Sequence, residues 1–219
     1  MKKRKKLSKK NTLIISLIVL LISIVLFGYI IYTKYIVNDN EKEITSVVNE
    51  KVELENDIYD YYLSSNATKY QKELIEELKK VLSEKTVDEE RYAELLSKIF
   101  ISDLFSLDTK VSSSDITSSQ YVYTDYQDTY VMKVKNTIYS NIAINLDGKR
   151  NQKLPNVTNV EIKSITRDSF EYNKQIIDKK AFYVIAKITY DKELDYPVDY
   201  KLVIVKNGDL LQVVKSSVA

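Results

Sequence analysis

Cysteine, histidine and tryptophan are absent from the chain, and glycine and proline are scarce, with three and two residues in 219. Without cysteine there is no disulfide, no thiolate metal site, no thiol nucleophile and no lipid-modified cysteine. Without histidine the commonest general base and the commonest zinc ligand are gone. The glycines Gly28, Gly148 and Gly208 stand far apart. Neither a phosphate-cradling glycine loop nor a strand-to-helix nucleophile turn can be assembled from them. On this vocabulary we expect no enzyme, no cofactor and no metal site. The acidic run Asp88-Glu89-Glu90 has a simpler reading than metal binding, because it opens a helix whose positive end favours carboxylates.

What is present is folding material. Hydrophobic residues make up 44% and charged residues 29% of the chain, a balance that supports a packed core rather than disorder. The preference for Lys, Ile, Tyr, Asn and Ser fits an AT-rich bacterial coding sequence. Residues 12–32, TLIISLIVLLISIVLFGYIIY, form an uncharged run of 21. At about 1.5 Å per residue, roughly 20 apolar residues cross a bilayer core. Tyr29, Tyr32 and Tyr35 stand where an interfacial aromatic belt belongs. Before the run come Lys2, Lys3, Arg4, Lys5, Lys6, Lys9 and Lys10, with no acid. Cations retained on the cytoplasmic side set the orientation, so a cytoplasmic tail over 1–11, a transmembrane helix over 12–32 and an extracellular remainder are expected. These seven leave 26 of the 33 basic residues against 31 acidic ones, so the remainder carries a net −5. Anionic lipid and topology account for the basic tail, and nucleic acid is not an expected partner.

Residues 33–65 read as a helical stalk. Ile44, Val47, Leu54, Ile58 and Tyr61 alternate by three and four, with Lys51 in one seam position. Such a seam either packs on its own domain or pairs with a second copy. The region 66–219 reads as an extracytoplasmic α+β domain. A helix is expected over 66–83, with Tyr70, Leu74, Leu78 and Val81 on one face and Glu76 four residues before Lys80. Another opens at a Thr86–Glu89 capping box and carries Tyr92, Leu95, Leu96, Ile99, Phe100 and Leu104. Residues 109–119 hold seven Ser or Thr in eleven positions and read as the most mobile loop of the domain. A tyrosine-rich helix is expected over 120–141, and Lys149, Arg150 and Lys153 read as a solvated basic loop.

Beyond Pro155 the hydrophobic period changes from helical to two. Val160 and Ile162 open one strand, Phe182 to Tyr190 alternate in another, and Val198, Tyr200, Leu202 and Ile204 in a third. Asn207-Gly208 signals a type I′ hairpin that would pair Ile204 with Leu211 and Leu202 with Val213. Asp195-Tyr196-Pro197 makes the other connection. The expected architecture is three or four amphipathic helices on a four-stranded antiparallel meander.

This order of elements over 66–219 resembles the cone-shaped fold of nuclear transport factor two, in which N-terminal helices lie in the mouth of a bent sheet. The layout of a short tail, one spanning helix and an outer cone domain resembles the assembly-scaffold subunit of type IV secretion and Gram-positive conjugation systems. Tyr121-Val122-Tyr123-Thr124-Asp125-Tyr126-Gln127-Asp128-Thr129-Tyr130 is similar to a tyrosine-rich helix of that family, with Gln127-Asp128 where the family has Arg-Glu. The cone resemblance implies a pocket enclosed by sheet and helices, and Tyr126, Asp128, Tyr130 and Tyr183 are its candidates. Tyrosines of this kind also serve a core, rings packed and hydroxyls at its edge.

The reading that follows is a membrane-anchored extracytoplasmic binding or scaffold protein of an envelope assembly. Its partners are membrane lipid and other envelope proteins. The alternatives are a small-molecule or peptide pocket in the cone, and a bitopic homodimer paired through the stalk.

Overall fold

The computed structural model describes residues 22, 23, 25, 26, 28, 49–51 and 59–219. The chain forms two compact units, Met1–Ser46 and Val47–Ala219. In the first, the described residues Ile22, Ser23, Val25, Leu26 and Gly28 are helical and exposed. The rest of the expected span, and the seven cations before it, lie outside the described residues. Among the described residues no helix is long and apolar enough to cross a membrane.

The second unit is α+β. Its described residues hold three α-helices and a four-stranded antiparallel sheet. A short strand, β1 (Asn49–Lys51), pairs antiparallel with β2 (Tyr62–Ser64). This corrects the stalk helix at both places. Tyr61 is not a pairing residue either, because it lies in the core, 5% exposed, with its hydroxyl bonded to that of Tyr92. Tertiary burial of that ring and the strand pairing outweigh the helical spacing. Ile44, Val47, Leu54 and Ile58 lie outside the described residues.

Helix α1 (Lys69–Leu82) starts later than its spacing suggests. Thr68 caps it: Gln71 N donates to the Thr68 hydroxyl at 3.2 Å, and Thr68 N donates to Gln71 Oε1 at 2.8 Å. Helix α2 (Glu89–Phe105) is capped by Asp88 rather than Thr86. Its carboxylate accepts from Glu90 N and Arg91 N at 3.0 and 3.1 Å, adding negative charge where the helix dipole rewards it. Lys206 and Arg167 then reach Glu89 from the sheet at 2.6 and 3.4 Å. Hydrogen bonding to Lys206, with Arg167 beside it, holds the Glu89 carboxyl below its ordinary pKa. Helix α2 is buried on nearly every side, Ser97 and Ser102 included, as a helix lying between other layers must be.

Strands β3 (Val157–Tyr172), β4 (Gln175–Tyr190), β5 (Asp199–Asn207) and β6 (Leu210–Val218) form the sheet in sequence order. The meander is as expected, but its turns differ. The residues with positive φ in the β3–β4 hairpin are Asn173 and Lys174, at 51° and 64°, so the type I′ geometry falls on a pair without glycine. In the last hairpin Asn207 stays in the strand opposite Leu210, and Gly208 takes φ 62° as the first turn residue. Moving the turn by one residue moves the partner of Ile204 from Leu211 to Val213. A slip of two leaves both on the core face. A bulge between Val203 and Ile204 sends Leu202 to Ser216.

The tyrosine-rich helix is also shorter than expected. Thr117–Tyr121 and Thr124–Tyr126 are 3₁₀ turns, and α3 spans Gln127–Asn136. Between the turns, Val122 bridges to Val213, and Tyr123 N donates to the Val213 carbonyl at 2.9 Å. Pairing with a sheet edge displaces the helix there. Tyr139, beyond the end of α3, is fully buried and donates to the Leu104 carbonyl at 3.0 Å, satisfying an end of α2 that would otherwise lack a partner.

The serine-rich segment does not fit a mobile loop. Lys110 is 1% exposed and donates to Asp103 Oδ1 at 2.6 Å and to Thr117 Oγ1 at 2.9 Å. Asp115, Ser112 and Ser118 are buried as well. Nor is Arg150 a solvated cation. Its guanidinium donates to the carbonyls of Lys110 and Asp108 at 2.8 and 2.9 Å and pairs with the Asp108 carboxylate at 3.2 Å. A planar fork with several donors suits such a cluster of carbonyls.

Candidate functional site

Alternation along the strands gives the sheet two chemically distinct faces. Phe182, Val184, Ala186 and Ile188 point into the core with Tyr200, Leu202 and Ile204, against α1 and α2. The opposite face has its own small cluster of Ala181, Val203 and Val205, flanked by Tyr123, Phe170, Ile177, Tyr183 and Val214. No residue of that cluster is helical. Tyr123 arrives there because the 122–123 segment runs along the edge of β6, leaving Val122 in the main core and Tyr123 on the outer face.

Tyr92, Tyr59, Tyr61 and Tyr121 pack ring to ring in that order, with centroids 5.3 to 6.5 Å apart. Burial pushes the Tyr92 hydroxyl up to about 12, and those of Tyr61 and Tyr121 well above the ordinary value. A cavity beside them, bordered by Tyr62, Gln71, Asp103 and Tyr121, has a volume of about 10 Å³, the space of one water.

Among the described residues no helix covers the outer face. A hollow of about 240 Å³ lies on it, formed by two adjacent rows that cross all four strands. One row is Ser164, Ile185, Lys201 and Ser217, and the next is Thr166, Tyr183, Val203 and Lys215. Ile185 is 39% exposed. The Tyr183 hydroxyl donates to the Ser169 carbonyl at 3.0 Å, which fixes the ring. Toward the β3–β4 turn, Tyr123 packs on Tyr126 and Tyr126 on Tyr172, with centroids 5.5 and 5.3 Å apart. Tyr172 and Ile176 remain about half exposed.

The four pocket candidates are not brought together. Tyr183 lines the outer hollow, away from the mouth between helices and sheet. Tyr126 joins the surface stack near Tyr172, where burial chiefly, with the tyrosines beside it, raises its pKa. Tyr130 packs on Phe100, 5.8 Å between centroids, and its hydroxyl bonds Ser118 at 2.8 Å. Burial drives its pKa well up. Asp128 is exposed in the first turn of α3. Tyr126, Asp128 and Tyr130 line neither cavity. No family model, curated protein or solved structure matches the chain. The hollow's lysines, Lys201 and Lys215, were missed because strand alternation alone does not reveal which face stays uncovered. Among the described residues no group of acids has the arrangement to hold a metal ion.

Proposed function

We propose that the protein is a single-pass, membrane-anchored scaffold or binding protein of a bacterial envelope assembly, with its α+β unit on the extracytoplasmic side. The observation that carries this is the uncharged run 12–32 behind seven cations, which favours lipid and fixes the tail inside. Support for docking comes from the outer sheet face, which no described helix covers and which carries the larger hollow of the two. In a cone-like arrangement the helices would lie in the bend of the sheet. The register shifts between β3 and β4 support such a bend, since bulges curve a strand. A conjugation-type machine is one assembly in which this layout would serve.

The absence of cysteine makes the topology test clean. Lys149→Cys should react with a membrane-impermeant maleimide in intact, wall-stripped cells, and Lys6→Cys only after lysis. Labelling in the reverse order, or recovery of the mature chain without residues 12–32, would overturn the anchor. In-cell crosslinking followed by mass spectrometry should then recover other envelope proteins. Recovery of the protein alone would remove the scaffold role.

A further inference from the structure

Charge on the outer sheet face is unevenly satisfied. One row across the strands, Glu161, Lys187 and Asp199, alternates in sign, and Lys163 pairs with Glu161 at 2.8 Å. Lys201, one row further, and Lys215, two rows further, border the hollow, and neither side chain has an ion-pair or hydrogen-bond partner among the described residues. Between the lysines and strand β3 the floor is apolar, made by Tyr183, Ile185 and Val203. Hydroxyls of Ser164, Thr166 and Ser217 sit at its two ends.

We propose that this hollow receives an acidic peptide segment of a partner protein. A bulky apolar side chain would lie on Tyr183, Ile185 and Val203, and a neighbouring Asp or Glu would meet Lys201 and Lys215. The hydroxyls at the ends would bond the peptide backbone. Three observations select this occupant. Opposite charge is what two cations beside an apolar floor, without a partner among the described residues, recognise. A second copy docked about a two-fold axis would set the same lysine-bearing patch against itself. The hollow's 240 Å³ falls below the roughly 300–1,000 Å³ that engulfs a small molecule, whereas the neighbouring Tyr123, Phe170 and Ile177 extend the apolar surface for a longer chain. The inference rests on the docking role proposed above and supplies its partner's chemistry.

The test uses the full chain in nanodiscs of neutral lipid and an unbiased library of short random peptides. Enriched peptides should place Asp or Glu beside a bulky apolar residue. Their affinity should fall at least about tenfold, about 1.4 kcal/mol, in the double variant Lys201→Glu/Lys215→Glu and with rising salt. The melting temperature should be unchanged, and Ile185→Arg should weaken the same peptides. Neutral or basic enriched peptides, no enrichment, or indifference to the charge reversals would each overturn the proposal. So would binding of anionic phosphatidylglycerol vesicles in place of peptide, lost on the same reversals, which would assign the face to lipid. In-cell crosslinks to envelope proteins that survive the reversals would leave the scaffold role standing and remove this surface from it.

Discussion

On the helix side of the sheet, Phe182, Val184, Ala186 and Ile188 are each 2% exposed or less; one residue along the same strand, Ile185 is 39% exposed. The helix side has packed tyrosine rings, a buried lysine–aspartate pair and an arginine clamped on carbonyls. The outer side has a few aliphatics, a fixed tyrosine and two lysines without an ion-pair partner among the described residues. Strand alternation makes the two sides possible, and helix coverage makes them different. One side supplies stability; the other is free to carry a function that tolerates substitution in the fold.

Substitutions should separate the sides by size of effect. Lys110→Ala strands the Asp103 carboxylate in the interior and should cost about 3–5 kcal/mol in urea unfolding. Phe182→Ala should cost a similar amount, about 3–5 kcal/mol, through lost contacts and a cavity. A small effect for either would break the comparison at once. Alkaline pH probes the helix side differently. Up to about pH 10 the tyrosines are protonated in both states; above it unfolded tyrosines ionise while buried ones, such as Tyr92 at about 12, hold their protons. Stability should therefore stay level below pH 10 and fall above it, by about 1.4 kcal/mol per pH unit for each such residue. Thermal melts paired with tyrosinate absorbance would measure this, and a flat profile past pH 11 would contradict the buried stack.

Smaller effects sharpen the contrast. Asp88→Ala should cost about 0.5–2 kcal/mol by removing the α2 cap. Lys174→Gly, at a positive φ, should stabilise by up to about 1 kcal/mol, because glycine adopts that backbone without strain. Ile185→Ala should change stability by no more than about 0.5 kcal/mol, although the same residue matters for docking.

The sheet was legible because its signals are local. Period two from Val160 onward, a turn at Gly208 and another near Asp195 suffice to order four strands. Core identity on α1 and α2 followed from spacing in the same way. The stalk was misread where Tyr61 and β2 have helical periodicity but gain more from a tyrosine core and a strand partner. Tyr121 to Tyr123 were misread because their partner, Val213, lies far along the chain. Serine-rich composition at 109–119 gave no sign that Lys110 would find Asp103, and Arg150 looked like any surface cation.

Composition and pattern by themselves excluded thiol, imidazole and glycine-loop chemistry. They also specified helices followed by a meander, and marked an apolar run behind a basic tail. Those are properties of neighbouring residues, which is why a chain can be read for them. Which face the helices cover, which polar groups pair inside and which lysines are left without a partner depend on contacts between distant segments. Only folding brings those segments together, and the free energy of each pairing depends on the burial that folding creates.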